Sequence, residues 1–355
     1  SNILINTQDD LLLLTFNLKG NYDLKRIYTK LSIKHLSARD GTNIDILTSK
    51  LDICSFKIPK EIPAPVLIKG CISNDTHFHS KFIHLPCSTR YIVTSSFRSE
   101  YSIDHKRSFF FSEIQLHDLY SKKTLCRYDI SKKYPQAIIS DIIAIPFQED
   151  SSFCSDISGE NSYAKRLTFG RCFIVSLNYE TAEDDSELDN LLLFTMEDGA
   201  FDFHLGIRTG RVITALHNYY HYLFLTAGEV LQAVEIDYSV KENAFKIGIQ
   251  SNPVMTSGFV KGLLTFESSC CNSSYNRGHI QSKHSQKSYR IISLNLFEGP
   301  QEFEVINNSC YQGKSSRGEP KFKISPVPSS QKATDFTSCT AGEILTAGSL
   351  VVENG

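Results

Sequence analysis

The chain has 355 residues, a hydrophobic fraction of 41%, a charged fraction of 21% and a formal net charge of −2. That length fits one large all-β domain or two medium ones, and the composition is that of a folded protein. A charge so near zero argues against holding nucleic acid by bulk electrostatics, which needs a clustered basic surface, and leaves direct nucleic-acid contact open.

Taken in chain order, "SNILINTQDDLLLL" sets two Asp ahead of a short Leu run and so lacks a secretory h-region. Ser1 stands where an initiator Met would, and the chain ends inside an apolar strand pattern, so it is expected to belong to a longer protein. Strand-like bursts follow at Leu11–Phe16, Pro65–Lys69, Tyr91–Ser95, Phe109–Leu116, Ala137–Ile145, Cys172–Leu177 and Leu191–Met196. They continue at Val212–Leu216, Tyr222–Ala227, Val230–Ile236, Phe245–Ile249, Gly262–Phe266, Tyr289–Leu296, Glu302–Ile306, Lys321–Ile324 and Ser349–Val352. Each is rich in β-branched or aromatic residues and bounded by Gly, Asn, Asp, Ser or Pro. Long segments with a 3.6-residue period are nearly absent; Asn21–Lys30 reads equally as a short helix or as a strand and turn. The most apolar stretch, Ala137–Phe147, contains Asp141 and is too short to span a bilayer.

Many short, evenly spaced strands mean a sandwich, a barrel or a propeller. A sandwich of this length needs two or three copies, and no linker divides the chain. A seven-bladed propeller needs about 45 residues per blade, about 315 in all, which fits. Gly210–Asp237 supplies three strands of a blade in meander order. The Gly-His and Trp-Asp signature of WD repeats is missing, and the chain has no Trp. The expected fold is therefore all-β, a seven-bladed β-propeller without WD signature, formed by residues 1–355 as a single domain. Gln148–Arg166, the acidic Glu180–Asp189, Ser268–Ser288 and Gln312–Lys332 read as long polar loops thrown out from it.

The chemistry-bearing motifs are weak. "GKSS" at Gly313–Ser316 lacks the Gly a P-loop needs five residues earlier, where Asn308 stands, and a Pro-containing strand lead follows instead of a helix. Cys270, Cys271, His279 and His284 are zinc-ligand types, but adjacent Cys seldom reach one tetrahedral ion and the segment reads as a loop. His77, His79 and His84 are expected to have no carboxylate partner and read as structural histidines. Ser37–Asn43 faintly resembles a sialidase aspartate box with its Asp misplaced and its closing aromatic missing. His217, Tyr219, Tyr220 and His221 fall in the first turn of the Gly210–Asp237 meander, where they would decorate a face. Ten Cys without a repeated spacing read as buried small hydrophobes in a reduced compartment. The three sequons, at Asn74, Asn272 and Asn307, are no more than a Ser- and Thr-rich chain carries by chance. No catalytic residue, metal or cofactor is assigned.

"CFIVSLNYETAEDDSELDNLLLFTMEDG" (Cys172–Gly199) followed by "RVITALHNYYHYLFLTAGEVLQAVEID" (Arg211–Asp237) resembles the C-terminal propeller of a known family. This is the family of damaged-DNA-binding, cleavage-and-polyadenylation and splicing-factor large subunits. Ser112–Ile145, "YRIISLNLFEGPQEFEVI" (Tyr289–Ile306) and "AGEILTAGSLVVENG" (Ala341–Gly355) are similar to other pieces of it, in the family's order. Ser176-Leu177 and Asp189-Asn190-Leu191 replace the family's Gly-Thr and Gly-Arg-Ile, marking a divergent member. The closing "GSLVV" is nearer the ubiquitin-ligase branch than the RNA-processing branch.

The resemblance implies a non-catalytic nuclear scaffold, an adaptor of a cullin–RING ubiquitin ligase in DNA repair or replication. The cullin would bind another part of the protein, and a helical substrate receptor would bind a cleft in which Met255 matches a cleft methionine. A buried core role for Met255 is the alternative. The other readings are a splicing or 3′-end-processing subunit, a heterochromatin-associated ligase adaptor, and, from another class, a propeller hydrolase or lectin.

Overall fold

The computed structural model describes residues 2–6, 11–16, 22–27, 33–38, 43–48, 53–57, 66–68, 78–86, 88–102, 107–145, 164–165, 167–179, 188–219, 222–249, 251–268, 288–295, 301–307 and 322–327. Among them the structure is all-β, apart from a 3-10 turn at Ile130–Lys132 and a short helical stretch within 164–169.

The strands assemble into six sheets in which spatial order follows chain order, so each is a meander. The first holds β1 (Asn2–Asn6), β2 (Leu11–Phe16) and β3 (Tyr22–Ile27). The second holds β4 (Ile33–Ala38), β5 (Asn43–Thr48), β6 (Ile53–Lys57) and β7 (Val66–Ile68). The third holds β8 (Phe78–Leu85), β9 (Ser88–Ser102), β10 (Arg107–Asp118) and β11 (Lys123–Asp129). The fourth holds β12 (Ala137–Ala144), β13 (Cys172–Tyr179), β14 (Leu191–Glu197) and β15 (Ala200–Ile207).

The fifth runs β16 (Ile213–Tyr219), β17 (Tyr222–Ala227), β18 (Val230–Ser239), β19 (Ala244–Ile249), and β18 also pairs with β20 (Val254–Met255). The sixth holds β21 (Val260–Ser268), β22 (Ser288–Asn295), β23 (Gln301–Asn307) and β24 (Phe322–Pro326). Repeated antiparallel four-stranded meanders of this kind are compatible with a β-propeller. None closes on itself. The described residues fall into two compact units, the first four sheets lying in one and, from Thr214 onward, the last two in the other.

Side-chain alternation explains how sheets stack within the first unit. Successive residues of a strand point to opposite faces. On β9, Ile92 joins Phe82, Leu47, Ile53 and Leu119 in a cluster shared with the second sheet. Its neighbour Val93 joins Ile114, Leu116, Phe173, Val175, Leu192 and Phe194 in a cluster shared with the fourth. The third sheet is thus covered on both faces. At the centre of the larger cluster Phe173 and Phe194 stack at 5.5 Å, and Tyr128 meets Phe194 edge-on at 5.0 Å. Each fully buried Phe contributes roughly 1.5–3 kcal/mol by leaving water.

In the fourth sheet, β14 is buried from Leu191 through Met196 and β13 from Cys172 through Leu177. A strand covered on both faces reads as a continuous apolar run, and "LLLF" and "CFIV" are such runs. Outer strands read differently: β11 alternates exposed and half-buried positions along its whole length. In the second unit, Tyr222 and Phe224 of β17 meet Phe322 of β24 edge-on, with ring centres 4.7 and 6.2 Å apart. Leu231, Ala233, Ile291, Phe303 and Ile324 fill the space around them.

Of the two readings of Asn21–Lys30, the strand is the one found, over Tyr22–Ile27 as β3. Two sequence expectations change. His217 and Tyr219 lie inside β16, which runs on past the expected end at Leu216; Tyr220 and His221 lie outside the described residues. Ala164 and Lys165, placed in a loop by their polar surroundings, are helical. The greater part of the four long polar segments, and Ser349–Val352, lie outside the described residues.

Candidate partner-docking edge

Met255 lies at the outer edge of the fifth sheet, where the edge strand is interrupted. β18 pairs first with β19, Val234 opposite Ile249, and further along with β20, Val230 opposite Met255. Directly opposed residues of an antiparallel pair share a face, and Val230 and Val234 share one by alternation. Ile249 and Met255 therefore project from the same face, about 13 Å apart along β18. Both are strongly exposed, Ile249 at 66% and Met255 at 61%, and Phe259 just beyond β20 is exposed at 53%. Met255 is thus a surface residue and not part of the core.

The local sequence "SNPVMTSGF" builds this edge. Pro253 has no N–H to give to a ladder, so regular pairing stops before it. The Ala233 N–H that the broken strand leaves unpaired donates to Ser251 Oγ at 2.8 Å. Asn252 turns towards β24 and takes both backbone groups of Ile324. Gly258, at φ +85°, supplies the left-handed turn that brings the chain back into β21. Ser257 N–H and Oγ both donate to Gln301 Oε1, at 2.9 and 3.1 Å, and Asn295 Nδ2 donates to Ser257 O at 2.9 Å. These hydrogen bonds anchor the segment that carries Met255 and Phe259, whose side chains are exposed.

Another concentration of functional groups lies on the third sheet and its contact with the second. Thr94 Oγ1 and Thr124 Oγ1 lie 2.9 and 3.1 Å from the two ring nitrogens of His117. Two hydroxyls can satisfy a neutral imidazole, one accepting and one donating. His84, from β8, meets Asp45 of β5, and both side chains are buried. That corrects the expectation of a histidine without a carboxylate nearby, since the partner lies on a different sheet. Asp118 accepts Arg90 Nε at 2.9 Å and Nη2 at 2.5 Å, together with Tyr120 N–H and Ser121 Oγ. The Arg90 hydrogen bonds, then the Ser121 hydroxyl and the turn's N–H groups, hold the Asp118 carboxyl far below the usual carboxylate range, against the opposing pull of burial. These contacts tie neighbouring strands and turns together.

The remaining sequence candidates are mostly out of view. Cys270, Cys271, His279, His284 and Gly313–Ser316 lie outside the described residues, as does His77. Among the described residues, no group of three or more His, Cys, Asp or Glu side chains could hold a metal ion. No described helix is long and apolar enough to cross a membrane. Cys126 and Cys172 are free thiols, and burial pushes both pKa values up.

Sequence reading singled out Met255 but not Ile249 or Phe259. An exposed Ile at the end of an apolar strand carries no local mark; only the break at Pro253 hints that the edge there is uncovered. No curated protein matches this chain. Residues 81–353 match the family described as the uncharacterised protein YJR039W C-terminal domain, and the chain belongs to that family.

Proposed function

We propose that this chain is a seven-bladed propeller of a larger, non-catalytic scaffold, the adaptor of a nuclear cullin–RING ubiquitin ligase acting in DNA repair or replication. Its β19–β20 edge receives an apolar face of a helical substrate receptor, and the cullin binds elsewhere in the protein. The observation that carries this reading is the exposed Ile249–Met255 pair on one face of that edge. Apolar side chains held in solvent at a fixed spacing fit an amphipathic helix better than they fit a catalytic centre. The resemblance of Cys172–Asp237 to the family of damaged-DNA-binding, cleavage-and-polyadenylation and splicing-factor large subunits supports the scaffold role, and the closing "GSLVV" favours the ubiquitin-ligase branch. The repeated four-stranded meanders, with middle strands buried on both faces, support the propeller.

Affinity capture of the full-length protein from nuclear extract, followed by mass spectrometry, tests the branch. A cullin with its RING subunit is the expected recovery. Cleavage or splicing factors in place of a cullin would move the protein to the RNA-processing branch and overturn the proposal.

A further inference from the structure

We draw no further inference here: the strongest candidate, the exposed apolar patch of Ile249, Met255 and Phe259 at the outer edge of the β16–β20 sheet, belongs to the docking edge already described, and nothing in the structure shows what covers it.

Discussion

Asn252 uses both ends of its carboxamide on one residue, Ile324: its Nδ2 donates to the Ile324 carbonyl at 3.3 Å, and the Ile324 N–H donates to its Oδ1 at 3.2 Å. Asn178 treats Ile213 in the same way, at 3.2 and 3.1 Å. In both places a side chain completes the backbone pairing that another strand would otherwise provide. Asn252→Ala removes two hydrogen bonds, and we expect a loss of about 1–2 kcal/mol in denaturant unfolding. An unchanged midpoint would show that the Ile324 backbone finds other partners at no cost.

Gly206 faces the side chain of Asp189. A Cβ at this position would overlap the Asp189 carboxylate, which cannot swing away freely. Tyr134 OH donates to its Oδ2 at 2.8 Å, and Arg208 Nε lies 3.5 Å from its Oδ1. Gly206→Ala should cost about 1–3 kcal/mol of stability. The same change in an Asp189→Ala background should cost less, because the obstructing carboxylate is gone. Equal costs in both backgrounds would mean that the clash is relieved elsewhere.

His217 sits on β16, on the same face as the core residue Ala215. Burial pushes its imidazole down from 6.5 to about 4. Between those values the unfolded chain binds a proton that the folded chain refuses, so stability falls as the pH drops from 6.5 towards 4. At pH 5 the loss amounts to about 2 kcal/mol relative to neutral pH. Urea midpoints at pH 7 and pH 5 check this: His217→Leu should be less sensitive to the change than the wild-type protein. Identical pH sensitivity in the two would place the titration on other groups.

Phe194 lies between Phe173, Tyr128 and Phe203 in the first unit, fully buried. Phe194→Ala should cost roughly 3–5 kcal/mol, since the ring's burial is lost and a cavity remains. Met255→Asp should stay within about 0.5 kcal/mol of wild type, as a surface change does. Thermal unfolding of the two variants side by side separates a core position from a docking position.

How much was legible in the sequence depended on burial. Tyr222–Ala227 and Leu11–Phe16 are strands to the residue, because their apolar runs end where the strands end. Lys123–Asp129 and Ala200–Ile207 do not stand out as strand-like apolar bursts, and both are outer strands. In "KTLCRYD" and "AFDFHLGI", polar residues on the exposed positions dilute the apolar signal. In Phe78–Leu85 the polar positions are used within the fold, His84 on Asp45 and Lys81 on Asp141. Such pairs join residues of different sheets, and no local pattern announces them. Met255 was legible only through family resemblance, and its exposure follows from the break at Pro253 together with the register of β20 on β18.

The most direct test of the docking edge is affinity capture of the full-length protein, wild type against the Met255→Asp/Ile249→Asp double variant, with every recovered subunit quantified. The expected result is a cullin recovered equally by both proteins, and a helical receptor recovered at least tenfold less by the variant. Equal recovery of the receptor, or no cullin with either protein, would contradict the proposed role.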